Sequence, residues 1–294
     1  SQAPAKEIIE GIYVHRVPVA GFSQDIFNWI GNMNHSMGKY GAYLLSHTND
    51  FDLIHAHDWM VADTAISLSE NFHIPIVATI HATEFGRHNG IHNPSSEYIH
   101  SQEKSLVETA AQTIVCSEYM RQEVGQILGC SWDRISIIYN GIRPEKKQRP
   151  KDFDFWEFRR RFAADHEQIV YYVGRMTYEK GIFVLLNAAP KVLWELGGNV
   201  KFIFIGGGNT DQLKQQAWDL GIWSKCFFTG FMSDEDLDKF QTVADCAVFP
   251  SLYEPFGIVA LESFAARVPV VVSDAGGLAE VVQHTKTGIV TWKW

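Results

Sequence analysis

The sequence predicts an α/β protein of two consecutive parallel sheets, each covered by helices on both faces. Three observations carry that prediction. Short β-branched or apolar runs alternate with longer helical patterns along the chain. The alternation occurs twice. A stretch rich in Lys, Arg and Pro at residues 143–154 separates the two occurrences. Parallel neighbours need crossover connections, and crossover helices cover the sheet they connect.

In the first half, strands are expected at residues 12–17, 53–56, 76–80, 113–116 and 135–138, with helices at 30–46, 60–71, 97–111 and 119–128. In the second half, strands are expected at 169–173, 201–205, 226–229, 246–249 and 270–272. The helices between them fall at 181–196, 211–220, 234–243 and 256–266. Residues 1–10 contain no strand pattern. The expected organisation is therefore two Rossmann-like domains: a partial one over 1–142, a solvated linker over 143–154, and a second domain over 155–294. Two such domains facing each other leave a cleft. Ligands of parallel sheets bind beyond the carboxyl ends of the strands.

The chain has 294 residues, 46% apolar and 20% charged, enough for two ordinary cores. Lys and Arg total 25 against 34 Asp and Glu, a net charge of −9, which argues against a nucleic-acid partner. Cys116, Cys130, Cys226 and Cys246 form no Cys-x-x-Cys motif. Three of them adjoin apolar strand runs and read as reduced core residues of a cytoplasmic protein. No apolar run reaches the ~18 residues of a membrane span, and the N-terminus lacks a signal-peptide pattern.

Three segments of the second half fall at strand ends. Gly174-Arg175-Met176-Thr177-Tyr178-Glu179-Lys180-Gly181 places two cations on one loop. Such cations suit a diphosphate, and the ordinary alternative is a salt bridge from Arg175 or Lys180 to Glu179. Gly206-Gly207-Gly208 would let the backbone approach a ligand closely, or form a plain turn. The most specific segment runs from Ser251 to Glu262. Pro255 suits a first helical turn, which would free the amides of Phe256, Gly257 and Ile258 for an anion. Glu254 can accept hydrogen bonds from sugar hydroxyls, or act as a helix N-terminal acid. Glu262 lies eight residues on, about 12 Å along a helix axis. It is either a solvated position or, in an otherwise apolar helix of Ile258, Val259, Ala260, Leu261 and Phe264, a carboxylate with a task.

Two segments of the first half are histidine-rich: His55-Ala56-His57-Asp58-Trp59, and Thr79 to His88 with His81, Glu84 and Arg87. His-x-His at a strand end permits a zinc or iron site. For His55 itself the favoured reading is a buried, satisfied histidine. Trp59 reads as core rather than as a sugar platform.

The segment Glu254–Glu262 resembles the Glu-x7-Glu motif of retaining glycosyltransferases of the glycogen-synthase-like class (glycosyl transferases group 1), which have the GT-B fold. The Gly174-Arg175…Glu179-Lys180-Gly181 loop, the triple glycine, and Ser273-Asp274-Ala275-Gly276-Gly277 followed by Glu280 recur in that family's order. The resemblance covers most of the chain. It implies that Arg175 and Lys180 bind the donor diphosphate and stabilise the leaving group, and that Glu254 with the amides beyond it holds the sugar. It also implies that Glu262 binds the ribose, and that Gly174, Gly206, Gly207, Phe256, Gly257 and Ile258 line the donor site. Gly277 and Leu278 are lesser candidates. His81 matches a histidine kept near the reacting carbon, which gives the histidines a metal-free reading. Asp58, Glu84 and Arg87 are acceptor-side candidates, and Arg87, His88 and Asn89 could reach an acceptor or a phosphate.

The implied activity is retaining transfer of a hexosyl group, glucosyl by preference, from ADP-glucose or UDP-glucose to a sugar or α-glucan. It needs no metal or other cofactor and closes about residues 140–141. The alternatives are a nucleotide-sugar epimerase and a non-catalytic sugar-nucleotide binding fragment. Members of this class begin with a strand and a glycine-rich loop, and continue past the position of Trp294. The chain is thus expected to be a fragment with an incomplete first sheet and an exposed edge.

Overall fold

The computed structural model describes residues 3–21, 23–48, 51–147, 149 and 152–292. The chain forms two compact units: Ser1–Val115 with Arg121–Ile138, and Cys116–Met120 with Tyr139–Trp294.

The elements of the first half are, in chain order, β1 (Lys6–Ile9), β2 (Ile12–His15), α1 (Ile26–His47), β3 (Ile54–His57), α2 (Ala62–Phe72) and β4 (Ile76–Ile80). They continue with α3 (Glu84–His88), α4 (Pro94–Thr109), β5 (Gln112–Val115), α5 (Glu118–Ile127) and β6 (Ile135–Ile137). Strands β3-β4-β5-β6 form a parallel sheet in that order. The strand expected at 12–17 does not join it. β2 pairs antiparallel with β1, where no strand was expected; Ser1 and Gln2 of that stretch lie outside the described residues. The cause is the two-residue turn at Glu10 and Gly11, both at positive φ (49° and 86°). This backbone matches the twist of a hairpin.

Caps explain several helix starts. Asp25 accepts the amide of Asn28 at the start of α1. Asn93 accepts that of Ser96, and Pro94 takes the first position of α4. Ile76, Ala78 and Ile80 of β4 are buried with Leu106 and Val107 of α4. β3 is an edge strand, so Ala56 is buried while His55 and His57 are exposed. His55 was expected inside; its Nε2 is satisfied instead at the surface, 2.8 Å from Thr79 Oγ1. Trp59 packs beside Phe27 and Tyr98.

The second half contains α6 (Phe155–Arg159), β7 (Gln168–Val173), α7 (Ile182–Glu195), β8 (Val200–Ile205), α8 (Asp211–Asp219) and β9 (Cys226–Gly230). It continues with α9 (Asp234–Gln241), β10 (Cys246–Phe249), α10 (Ile258–Ala265), β11 (Val270–Ser273), α11 (Leu278–Val281) and β12 (Ile289–Thr291). The parallel sheet runs β12-β11-β10-β7-β8-β9, so strand order reverses between β7 and β10. Tyr171, Tyr172, Phe202, Phe204, Phe240 and Phe249 are fully buried in its core. β12 was not expected; at three residues it is shorter than a periodicity window can register.

Most described residues of the stretch 143–154 are exposed, with Lys147 and Phe153 the exceptions; its Gln148, Pro150 and Lys151 lie outside the described residues. Lys147 is 9% exposed. The ring of Phe153 packs at a tilt against that of Phe158, centroids 5.1 Å apart, and Asp154 caps α6 by accepting from Glu157 N. All four cysteines are free, and burial pushes the thiols of Cys116, Cys226 and Cys246 up to about 11. Among the described residues no helix is long and apolar enough to cross a membrane.

One buried acid gives the first unit a pH dependence. Glu103 is 2% exposed, and its Oε1 accepts the amide of Glu84 at 2.8 Å. Burial pushes its carboxyl up to about 8 from the ordinary 4.5. Between those values the unfolded chain has released this proton and the folded chain retains it. Stability from this group is therefore complete below pH 4.5 and is lost as pH rises to about 8. Glu103→Gln keeps an acceptor for the Glu84 amide and removes the titration. Thermal melts are expected to show a shallower fall in Tm between pH 5 and 8 in the variant; an unchanged slope would contradict this.

Candidate functional site

Loops leaving the carboxyl ends of β7, β8, β10 and β11 meet where the strand order reverses, the position at which open α/β sheets bind ligands. The first loop, Gly174–Gly181, carries both cations. The backbone carbonyl of Glu179 accepts two amides from the loop after β10: Leu252 N at 2.8 Å and Tyr253 N at 3.1 Å. This pairing brings Lys180 Nζ to 2.8 Å from Glu254 Oε2, with both side chains 15% exposed. Arg175 stands in the open. Its side chain is 59% exposed and pairs with Glu179 Oε1 at 3.1 Å, one turn along the same loop. That pair is one of the two ordinary alternatives set out for this loop. Tyr172, whose hydroxyl burial pushes up, donates to Arg175 O at 2.9 Å and fixes the turn.

Glycines permit the close approach of these loops. Gly181 has φ +64°, and a Cβ there would lie 2.0 Å from Pro250 O. A Cβ at Gly206 would lie 1.9 Å from Gly174 O. The structure therefore explains Gly206 by loop packing. Gly207 differs: a Cβ there would meet nothing within 4 Å, and the residue is exposed. Gly277 donates its amide to Glu254 O at 2.9 Å. Leu278 is fully buried.

The helix after β10 departs from expectation. Pro255 does not occupy its first turn; α10 begins at Ile258, with Gly257 at its cap in a left-handed conformation (φ 98°). The cause is the use of Pro255 O, which accepts from Ser117 Oγ at 2.6 Å instead of from a helical amide. Phe256 is buried, 6.2 Å from the ring of Tyr139. The helix-terminal amides are consequently those of Ile258 and its successors. Only the second half of the Glu254–Glu262 interval is helical, so the 12 Å axial estimate does not apply.

Glu262 is not idle. Its Oε1 lies 3.3 Å from Lys147 Nζ, which lies 2.6 Å from Asp238 Oδ1. Lys147 escaped sequence reasoning because it sits in a stretch that reads as linker. The available signal was Glu262 itself, since a carboxylate in an apolar helix requires a nearby cation.

The acceptor-side candidates lie in the first unit, beyond β3 and β4. Asp58 has φ 58°, and its Oδ1 accepts the backbone amide of His81 at 2.8 Å. His81 Nε2 lies 3.0 Å from His57 Nδ1. Burial, then the neighbouring histidines, lower the His57 pKa. Glu84 points inward, 6% exposed, and pairs with His88 Nδ1 at 3.0 Å. Arg87 is half-buried, its Nε buried without a hydrogen bond. Asn89 ends α3 in a left-handed conformation. Among the described residues no group of three or more His, Cys, Asp or Glu is placed to hold a metal ion.

The second unit is thus a doubly wound parallel sheet with cation-bearing and glycine-rich loops at its order reversal, the place where open α/β sheets bind ligands. The family described as Glycosyl transferases group 1 matches residues 154–292, and Glycosyltransferase Family 4 matches residues 3–146. An uncharacterized glycosyltransferase of Methanocaldococcus jannaschii is 38% identical over 97% of this chain and 73% of its own length. A glycogen synthase of Mycobacterium tuberculosis is 36% identical over 91% of this chain, which spans 64% of it. The sucrose-phosphate synthase of Thermosynechococcus elongatus superposes with a TM-score of 0.81 at 22% identity, covering 99% of this chain and 73% of that one, and shows the GT-B fold. The chain belongs to the glycosyl transferases group 1 family of glycosyltransferases.

The loop clamp can be tested through its tightest contact. Gly181→Ala combines left-handed strain with a clash against Pro250 O. It is expected to lower unfolding stability by about 2–4 kcal/mol in urea titrations. A loss under about 0.5 kcal/mol, the size of an ordinary surface substitution, would show that the clamp yields easily.

Proposed function

We propose that this chain transfers a hexosyl group, glucosyl by preference, from ADP-glucose or UDP-glucose to a sugar or α-glucan acceptor, with retention of configuration and without a cofactor. The observation that carries the proposal is the Lys180–Glu254 pair at 2.8 Å beside the exposed Arg175, at the order reversal of the sheet. The likeness to a protein named glycogen synthase supports the choice of glucose and an α-glucan.

Breaking the anomeric bond places new negative charge on the departing diphosphate. Arg175 and Lys180 supply fixed positive charge for it, as preorganised groups do for developing charge elsewhere. Arg175 exchanges one exposed ion pair for a diphosphate oxygen at small cost, because such pairs are worth only about 0–1 kcal/mol. Lys180 remains tied to Glu254, so the cation and the carboxylate that accepts from sugar hydroxyls keep one geometry. Gly207, open on its Cβ side, leaves room for a phosphate against the backbone. The first-turn amides of α10 add their dipole, and Glu262 accepts from the ribose. In the first unit, His81 with its amide fixed by Asp58 is the residue proposed to serve the transferred sugar, with Arg87 on the acceptor side.

Calorimetric titration in EDTA tests this reading. One of ADP-glucose and UDP-glucose is expected to bind. Arg175→Ala and Glu262→Ala are each expected to weaken binding by roughly 10- to 100-fold, or 1.4–2.8 kcal/mol. A folded chain that binds neither donor would refute the proposal. NMR of the product's anomeric proton would separately decide retention.

A further inference from the structure

Lys147 closes a short 3-10 turn, Pro144–Lys147, and its side chain turns inward until only 10% of it is exposed. Its Nζ lies 2.6 Å from Asp238 Oδ1 on α9 and 3.3 Å from Glu262 Oε1 on α10. One ammonium therefore bridges carboxylates on two helices. Asp238 is the closer partner and anchors it. Among the described residues, Lys147 is the partner that holds the Glu262 carboxylate. The three groups border a cavity of about 540 Å³, which Asp234 and Leu237 in the first turn of α9 also line. That volume is in the range of small-ligand sites. The first turn of α9 follows the carboxyl end of β9, so the cavity lies on the ligand-binding side of the sheet. The clamp is thus not sealed in the core, and the Glu262 side chain stays 25% exposed.

We propose that Lys147 is a positioning residue, which holds Glu262 so that its carboxylate meets the ribose hydroxyls of the donor. The proposal rests on the ribose role given above to Glu262 and adds what aims that side chain. A glutamate free to rotate would have to be ordered when the ligand arrives, and that ordering is taken from affinity. A side chain already tied in place is preorganised, provided that its support does not occupy the whole group. An ammonium meets that condition. It only donates, and a carboxylate has about four acceptor sites, so capacity for two hydroxyls remains beside the Lys147 contact.

Calorimetry tests this with whichever of ADP-glucose and UDP-glucose binds, alongside the same donor made with 2′,3′-dideoxyribose. Lys147→Met is expected to weaken the ribose-bearing donor roughly tenfold. The dideoxy donor is expected to bind the variant and the unsubstituted chain equally. Equal loss for both donors, or no loss for either, overturns the proposal. Lys147→Met also leaves Asp238 and Glu262 without their shared cation, a cost to folding in its own right. The double variant with Asp238→Ala removes that conflict and leaves Glu262 untied. It is expected to regain thermal stability without regaining donor affinity; recovery of both would reduce Lys147 to charge compensation and sink the idea. A donor-free crystal structure of the double variant gives an independent readout. The Glu262 carboxylate is expected to leave its present position, and an unmoved carboxylate would show that Lys147 does not set it. If neither donor binds the unsubstituted chain, the transferase reading fails and the ribose role with it, while the crystal structure still decides the clamp.

Discussion

The carbonyl oxygen of Glu179 holds the second unit's site together. It accepts two consecutive amides, Leu252 and Tyr253, and so splices the loop after β7 to the loop after β10. Those strands are neighbours only because the sheet reverses its order between them. The splice requires Gly181, since any side chain there would collide with Pro250 O. Once it forms, Lys180 and Glu254 have no choice but to meet, 74 residues apart in sequence. The ion pair follows from the backbone; it does not create it. This ordering matters for energetics, because a part-buried pair costs desolvation and contributes little alone, whereas the backbone bonds fix its geometry in advance.

The sheet strands were largely legible in the sequence, for a physical reason. Strands buried on both faces are continuous apolar runs, and Ile76–Ile80 and Cys246–Phe249 stand out without context. What was not legible depends on single residues or distant partners. The hairpin of β1 and β2 hangs on the turn at Glu10 and Gly11. The start of α10 hangs on Pro255 O being taken by Ser117, a residue 138 positions away. The edge position of β3 decides that His55 faces out, and no local pattern of His-Ala-His contains that information. Within the site, residue types were readable and pairings were not. The contact of Lys180 with Glu254 was not among the alternatives for Lys180, which named Glu179.

Three charged groups that look alike in sequence illustrate how environment assigns them. Glu254 sits at a loop, with a lysine fixed beside it by backbone bonds. Glu262 sits in an apolar helix and draws Lys147 out of a stretch whose composition reads as solvent-exposed. Glu103 has no cation at hydrogen-bonding distance among the described residues, only the Glu84 amide and a histidine nitrogen at 4.0 Å, and it retains its proton instead. Burial imposes a penalty on an unpaired carboxylate, most of all at Glu103, whose side chain is 3% exposed against 15% for Glu254 and 25% for Glu262. The structure meets it in three ways: a preorganised pair, a recruited cation, and neutralisation.

The contrast between Lys147 and Arg175 extends that logic. Lys147 is 9% exposed and bound to two carboxylates, Asp238 and Glu262. Removing it would leave two like charges facing each other between α9 and α10, so it is committed to the fold. Arg175 is exposed and bound to one carboxylate on its own loop, an arrangement that water and salt loosen readily. A cation that can leave its internal partner at little cost is free to follow an incoming anion; one that cannot must act through the carboxylates it holds. Burial and partner number, rather than residue type, therefore separate the loosely held Arg175 from the Lys147 that positions Glu262.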